Sequence, residues 1–269
     1  MKLGLVVRNM GPASTRELVT AAAQAADACS AIDDVWVVDH VAIPPDQSEG
    51  SGGRYLEPLA TLAYLAGVTQ RVGLGSAVIV LPYRPPLLTA KWIATIQELS
   101  GGRLILGAGV GWMNAEFRAL GVDRRRRGRL ADETLDFLDR CFASDVAEAN
   151  GQEFYFRPRP PRPPLFIGGS PAAAFRRVLA HRAGWMPTAL TPDALRAPAA
   201  ELRAAAAAGG LPAPPIAVLG MLPRIDRAAA RDALAAYDEA GATHVVHAER
   251  YANPDEFRRI LDDLARAVA

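Results

Sequence analysis

The sequence predicts an α/β fold, a (β/α)8 or TIM barrel, on three observations. Short β-branched apolar runs alternate with Ala- and Leu-rich stretches of helical spacing along all 269 residues. Eight such pairs can be counted, with no element of comparable size left over. The apolar runs lack strict in–out alternation, as expected of parallel strands covered on both faces. An open doubly wound sheet is the structural rival.

The strands in order are Leu3–Val7, Val35–Asp39, Val72–Val80, Leu104–Val110, Leu165–Gly168, Trp185–Thr188, Ile216–Met221 and His244–Ala248. The helices that follow them are Thr15–Cys29, Pro58–Gly67, Pro86–Leu99, Leu130–Phe142, Pro171–His181, Pro192–Ala208, Arg227–Ala240 and Pro254–Val268. Proline opens several of these helices, at the position where its missing N–H costs nothing. A single domain over residues 1–269 accommodates the count, since barrels of roughly 250 residues form one domain. One region interrupts the alternation between the fourth and fifth strands. It comprises Asp123–Arg127, the helix from Leu130, and a stretch from Asn150 to Pro164 rich in aromatics and proline. It reads as an insertion, a short hairpin lying over the C-terminal face. The arginine run Arg124–Arg127 is a solvated loop or helix start, with an anion-binding role as the alternative.

Composition excludes several classes. Half the residues are hydrophobic and the formal net charge is +1, so nothing points to nucleic acid or a membrane surface. No segment approaches the roughly 18 apolar residues of a membrane span. The apolar run after Lys2 is too short for an export signal, so a cytoplasmic protein is expected. Cys29 and Cys141 lack metal-ligand spacing and read as free thiols, and no metal site is expected.

In such barrels the chemistry sits where the strands end. The second strand ends Asp39-His40, an acid–imidazole pair able to donate, accept or hold a proton; the same dipeptide serves equally as a loop hydrogen-bonding pair. The third runs through Gly75, Ser76, Ala77 and Val78, where small residues allow either tight packing or close approach of a flat ring. The fourth ends Gly107-Ala-Gly109-Val110-Gly111-Trp112. It lacks the spacing of the dinucleotide fingerprint. The fifth runs into Gly168-Gly169-Ser170 directly before a helix, either a phosphate site or a plain tight turn.

At these residues the chain resembles the bacterial luciferase-like monooxygenase family, most closely its branch using the deazaflavin coenzyme F420. The likeness rests on Val35–His40, Thr69–Gly75, Gly101–Trp112, Glu116-Phe117 with Gly121, Gly128-Arg129 before Asp132-Glu133, Pro164–Pro171, Gly184–Pro187 and Gly241–Val246. It implies that Asp39 and His40 lie beside the cofactor ring. It implies further that Ser76, Ala77 and Val78 form a bulge against that ring, with Ala77–Val78 in cis. Gly109, Val110, Gly111 and Trp112 would border the cofactor, and Gly168, Gly169 and Ser170 would hold its phosphate. His40 is the candidate catalytic proton donor or acceptor, with ring orientation as its other role. Arg8, Asn9 and Trp112 are candidates for the substrate side.

The expected cofactor is coenzyme F420, for hydride transfer to or from a small organic substrate; FMN, for monooxygenation, is the alternative. A non-catalytic flavin-binding barrel is a further reading. A phosphate-binding isomerase or aldolase is another, but Lys2 and Lys91 are the only lysines and neither closes a strand. Two departures stand out. Trp112 occupies the position where some sugar-phosphate-oxidising relatives carry a glutamate. Pro192–Pro215 leaves little room for a lid, and the resemblance implies a homodimer.

Overall fold

The computed structural model describes residues 1–268. In chain order the elements begin β1 (Lys2–Val6), α1 (Arg16–Ala28), β2 (Asp34–Val37), α2 (Pro58–Val68), β3 (Gly73–Ser76), β4 (Ile79–Val80) and α3 (Pro86–Leu99). They continue with β5 (Leu104–Gly109), α4 (Asn114–Ala119), α5 (Arg127–Ala143), β6 (Val146–Ala149), β7 (Gln152–Tyr155), β8 (Leu165–Gly168) and α6 (Pro171–Ala180). The last are β9 (Gly184–Met186), α7 (Pro192–Ala208), β10 (Ala217–Gly220), α8 (Arg227–Ala240), β11 (His244–His247) and α9 (Pro254–Val268).

The parallel strands run in the order β10-β11-β1-β2-β3-β5-β8-β9. Isolated bridges Trp185↔Ile216 and Thr188↔Leu219 join the two ends, so the sheet closes into the expected barrel. The open-sheet rival is thereby excluded. Local chemistry sets the helix starts: the side chains of Thr15, Thr191 and Asp226 accept the N–H groups of Leu18, Ala194 and Ala229.

Two layers of apolar side chains divide along the strands. Leu3, Leu5 and Val7 pack outward against the helices, whereas Val6 joins Trp36, Ile105, Phe166, Met186, Ala217 and Val246 inside the barrel. Trp36 dominates this interior. A Cβ on Gly75 would lie 2.2 Å from its ring, and one on Gly4 would lie 2.5 Å from its Nε1. Gly75 therefore makes room for Trp36, not for a cofactor ring.

The third strand differs from its expected span. Residues 72–80 break after Ser76 at a cis peptide between Ala77 and Val78, then resume as β4 alongside β5. The hydroxyl of Ser76 bridges the break, donating to Gly107 O at 2.9 Å and accepting from Gly107 N at 3.0 Å. Gly107, Gly109 and Gly168 surround the bulge. A Cβ on them would meet Ser76 O at 1.9 Å, Val78 Cγ2 at 2.6 Å and Val78 Cγ1 at 3.0 Å respectively. These glycines, too, are steric requirements of the wall.

The insertion between β5 and β8 is split across the barrel. α4 and the turn Arg124–Arg126 follow the C-terminal end of β5. The hairpin β6–β7 instead lies between the end of α5 and the start of β8, at the opposite end. Its flank is fastened there: Gln97 near the end of α3 donates to Pro161 O, and Arg162 donates to His181 O at the end of α6. The expectation that it covers the C-terminal face is corrected, because α5 runs antiparallel to the strands and carries the chain down first. The arginine run forms a short turn over Arg124–Arg126 that leads into α5 at Arg127. Cys141 is buried and Cys29 partly so, both as free thiols. Among the described residues no helix is long and apolar enough to cross a membrane.

At the N-terminal end of the barrel, Asp34 is 1% exposed. Its Oδ1 accepts from Trp36 Nε1, and its Oδ2 has no partner. Burial pushes its carboxyl up to about 6 from an ordinary 3.8. A raised value contributes stability below the unfolded pKa and loses it as pH rises through 6. Asp34→Asn is therefore expected to be more stable than the parent at pH 8, by up to about 3 kcal/mol, and equal to it near pH 4. Urea denaturation at the two pH values checks this; equal stability at pH 8 would count against it.

Candidate active site

A cleft of about 520 Å³ opens at the C-terminal end of the strands. Asp39, His40, Ala77, Val78, Gly109, Val110, Gly111, Trp112, Gly168 and Gly169 all line it, together with Met10, Val38, Tyr55, Val80, Met186, Thr188 and Leu219. The sequence candidates from four separate strands thus meet in one place. Ser76 does not reach it: the side chain is fully buried and committed to Gly107. Ser170 is exposed beside the cleft as the residue preceding α6, without lining it. Among the described residues, no group of the chain accepts the N–H of Gly169 or Ser170. These donors stand at a helix N-terminus, where an anion is favoured.

His40 is held on three sides. The rings of Tyr55 and Trp112 meet it edge-on, with centroids 5.1 and 5.9 Å away. Behind it lies Glu116, which is completely buried. One carboxylate oxygen of Glu116 accepts from His40 Nδ1 at 2.8 Å and from the Tyr83 hydroxyl at 2.9 Å. The other accepts from the N–H groups of Val41 at 2.5 Å and Ala42 at 3.0 Å. Burial raises the Glu116 carboxyl, but the Ala42 and Val41 N–H groups and His40 outweigh it, leaving a net value below the ordinary 4.5. Ionised, Glu116 only accepts, so Nδ1 of His40 carries a proton and Nε2 is the atom free to exchange one.

Asp39 has a different role from the one its neighbour suggests. Arg84 grips it through both terminal nitrogens, at 2.6 and 2.9 Å, and Val80 N–H donates to it at 2.8 Å. Arg84 also binds Glu57, the N-cap of α2. Burial disfavours the charge on Arg84, but Asp39 and then Glu57 more than offset this and raise its pKa. Asp39 lines the cleft while its carboxylate pins β4 and α2 in place. Asn9, expected on the substrate side, is fully buried. Its amide is consumed by Val38 O, Leu56 O and Val38 N–H, which staple the ends of β1 and β2.

Glu116, Tyr83 and Arg84 were not assigned roles from the sequence. Glu116-Phe117 contributes to the family likeness, yet nothing local reveals that a glutamate in a six-residue helix meets a histidine 76 positions earlier. The one available signal is an acidic residue in the first turn of a short helix following a barrel strand.

Fold and site together define a TIM barrel with an apolar, histidine-bearing cleft at its C-terminal mouth. The chain belongs to the luciferase-like monooxygenase family, whose model matches residues 3–267. It is 30% identical to an uncharacterised protein of Mycobacterium tuberculosis, over 80% of this chain and 77% of that protein. It spans about half (52%) of another uncharacterised protein of that species, to which it is 34% identical over 54% of its own length. Over 54% of this chain and 43% of the other, it is 30% identical to an FMNH2-dependent dimethylsulfone monooxygenase of Pseudomonas putida. Among solved structures, monooxygenase RslO1 from Streptomyces bottropensis superposes with a TM-score of 0.81 at 18% identity, covering 98% of each chain. An F420-dependent secondary alcohol dehydrogenase superposes at 0.78 and 16% identity, covering 100% of this chain and 99% of that one.

Proposed function

We propose that the cleft binds the ring of reduced FMN and that the enzyme oxygenates a small organic substrate. The observation that carries the reading is that His40, its Nδ1 committed to Glu116, and Gly169, its N–H unpartnered, line one apolar slot. The residues fit such a group. Val78 and Gly109–Val110 form one wall, and the N–H groups at Gly169 and Ser170 suit a phosphate. Bound reduced FMN would supply two electrons, so that one atom of O2 enters the substrate and the other leaves as water. The chain itself contributes an apolar slot that orients ring and substrate, and a histidine that holds or moves a proton at Nε2. The P. putida relative, named for FMNH2, supports this choice of cofactor.

Hydride transfer with coenzyme F420 is the second reading, and one feature favours it. The turn Arg124–Arg126 and Arg127 stand at the start of α5, which Arg177 of α6 ties to the cleft side by donating to Gly128 O. A basic rim there suits a long anionic cofactor tail. Titration of the apo-protein with FMN and with F420, followed by fluorescence, separates the two. Micromolar binding of FMN alone supports oxygenation, F420 alone supports hydride transfer, and binding of neither overturns both.

A homodimer in the cytoplasm completes the proposal. Leu88, Trp92 and Leu99 of α3 are 59, 44 and 69% exposed. An apolar stripe of this kind marks an association face. Sedimentation at micromolar concentration is expected to give a dimer that Trp92→Glu splits; a monomeric parent would refute it.

A further inference from the structure

Arg8 is a buried cation without a counterpart. It is 9% exposed, its Nε has no partner, and among the described residues it makes no salt bridge. Strand alternation places it on the inward face of β1, above Gly4 and Val6, at the C-terminal mouth. Its backbone N–H donates to Tyr251 Oη at 2.8 Å, which leaves the guanidinium itself uncommitted. A Cβ on Gly11 would lie 3.1 Å from its Nη2, and one on Gly50 would lie 2.7 Å from Nη2 of Arg250. Two guanidinium groups therefore flank the Gly11–Gly50 contact, and neither has an acidic partner among the described residues.

Its Nε is buried and unpartnered while the two terminal nitrogens keep solvent contact, so the fork is open to an arriving anion that would relieve the cost of the half-desolvated charge. We propose that Arg8 anchors a carboxylate of the substrate, with Arg250 drawing it in. The guanidinium fork matches a planar carboxylate through two parallel N–H···O bonds. In the barrel order β1 stands four strands from β8 in either direction, so Arg8 lies across the mouth from Gly168–Ser170. A phosphate held at β8 cannot also occupy Arg8, which leaves the second anion to the substrate. Arg8 stands outside the residues that line the cleft, so the assignment rests on the cleft being the active site and on the substrate extending beyond it to the Gly11–Gly50 contact.

Calorimetric titration with benzoate and with neutral benzamide, on apo- and FMN-saturated protein, tests this. The parent is expected to bind benzoate about tenfold or more tighter than benzamide in both forms. Arg8→Met should abolish the preference while raising the Tm of the ligand-free protein; Arg8→Gln serves if the first variant does not fold. Equal affinities, no binding of either probe, or a preference that survives Arg8→Met would overturn the proposal. Competitive displacement of benzoate by FMN would also overturn it, by giving the site to the cofactor. Failure of the flavin reading looks different: neither FMN nor F420 binds, yet the benzoate preference and its loss in Arg8→Met remain.

Discussion

Glu116→Gln is expected to lower turnover by about a hundredfold while leaving the barrel folded and the flavin bound. The carboxylate accepts four N–H or O–H groups and offers none. An amide in its place must turn its NH2 toward either the Val41–Ala42 pair or the His40–Tyr83 pair, setting donor against donor. In the first case the peptide of Val41 shifts; in the second His40 loses the bond that fixes its proton on Nδ1. Glu116 is thus a positioning residue acting through His40. The signature of that role is a fall in kcat with little change in KM and an altered pH profile. An unchanged pH profile would leave Glu116 merely structural. Stability should change with pH as well. A carboxyl held below its ordinary value contributes stability above that value and loses it as pH falls through the folded pKa. The parent should therefore lose stability in acid through Glu116, and Glu116→Gln should lack that part of the loss.

Asp39→Ala is expected to cost about 3–5 kcal/mol in unfolding free energy. The Asp39 side chain has no exposure and that of Arg84 has 14%, so the pair is desolvated. Removing the acid strands a buried guanidinium that Glu57, itself 41% exposed, only partly satisfies. It also frees Val80 N–H and with it the anchorage of β4. Asp39→Ala/Arg84→Met should recover much of the loss, because a buried pair replaced by apolar groups is often neutral. Urea unfolding of the three proteins measures the coupling. Additive losses would mean that the two residues act separately.

The barrel was legible because its signals are repeated and local: apolar runs and helical stretches recur eight times along the chain, and proline opens five of the helices. The cleft was legible in part, since Asp39, His40, Gly109–Trp112 and Gly168–Gly169 all close strands, and strand ends gather at one mouth. What the sequence hid was the direction of side chains and the partners of charges. Gly75 read either as tight packing or as room for a ring, and it makes room for Trp36; Gly109 and Gly168 line the cleft and also make room for Val78. Asp39 and Asn9 read as facing a ligand, yet their polar atoms are spent on Arg84, Val80, Val38 and Leu56. Such pairings join positions 29 to 47 residues apart and leave no trace in local spacing. The hairpin was misplaced for a related reason: composition marks an insertion, but only the course of α5 decides which end receives it.

The barrel's closure is unequal around its circumference. Seven of its joints are continuous ladders, whereas β9 and β10 meet through two isolated bridges. Met186, Thr188 and Leu219, which line one flank of the cleft, stand at that joint. The flank built on β2, β4 and β5 is instead braced by the Asp39–Arg84 clamp and the Glu116 network. One jaw of the site is therefore cross-braced by side-chain ion pairs, and the other is held by two bridges alone. On the proposed reading, His40 belongs to the braced jaw, and Met186, Thr188 and Leu219 bound the substrate on the other. Substitution of Thr188 or Leu219 is therefore expected to change which substrates are admitted while leaving the Glu116–His40 contact in place.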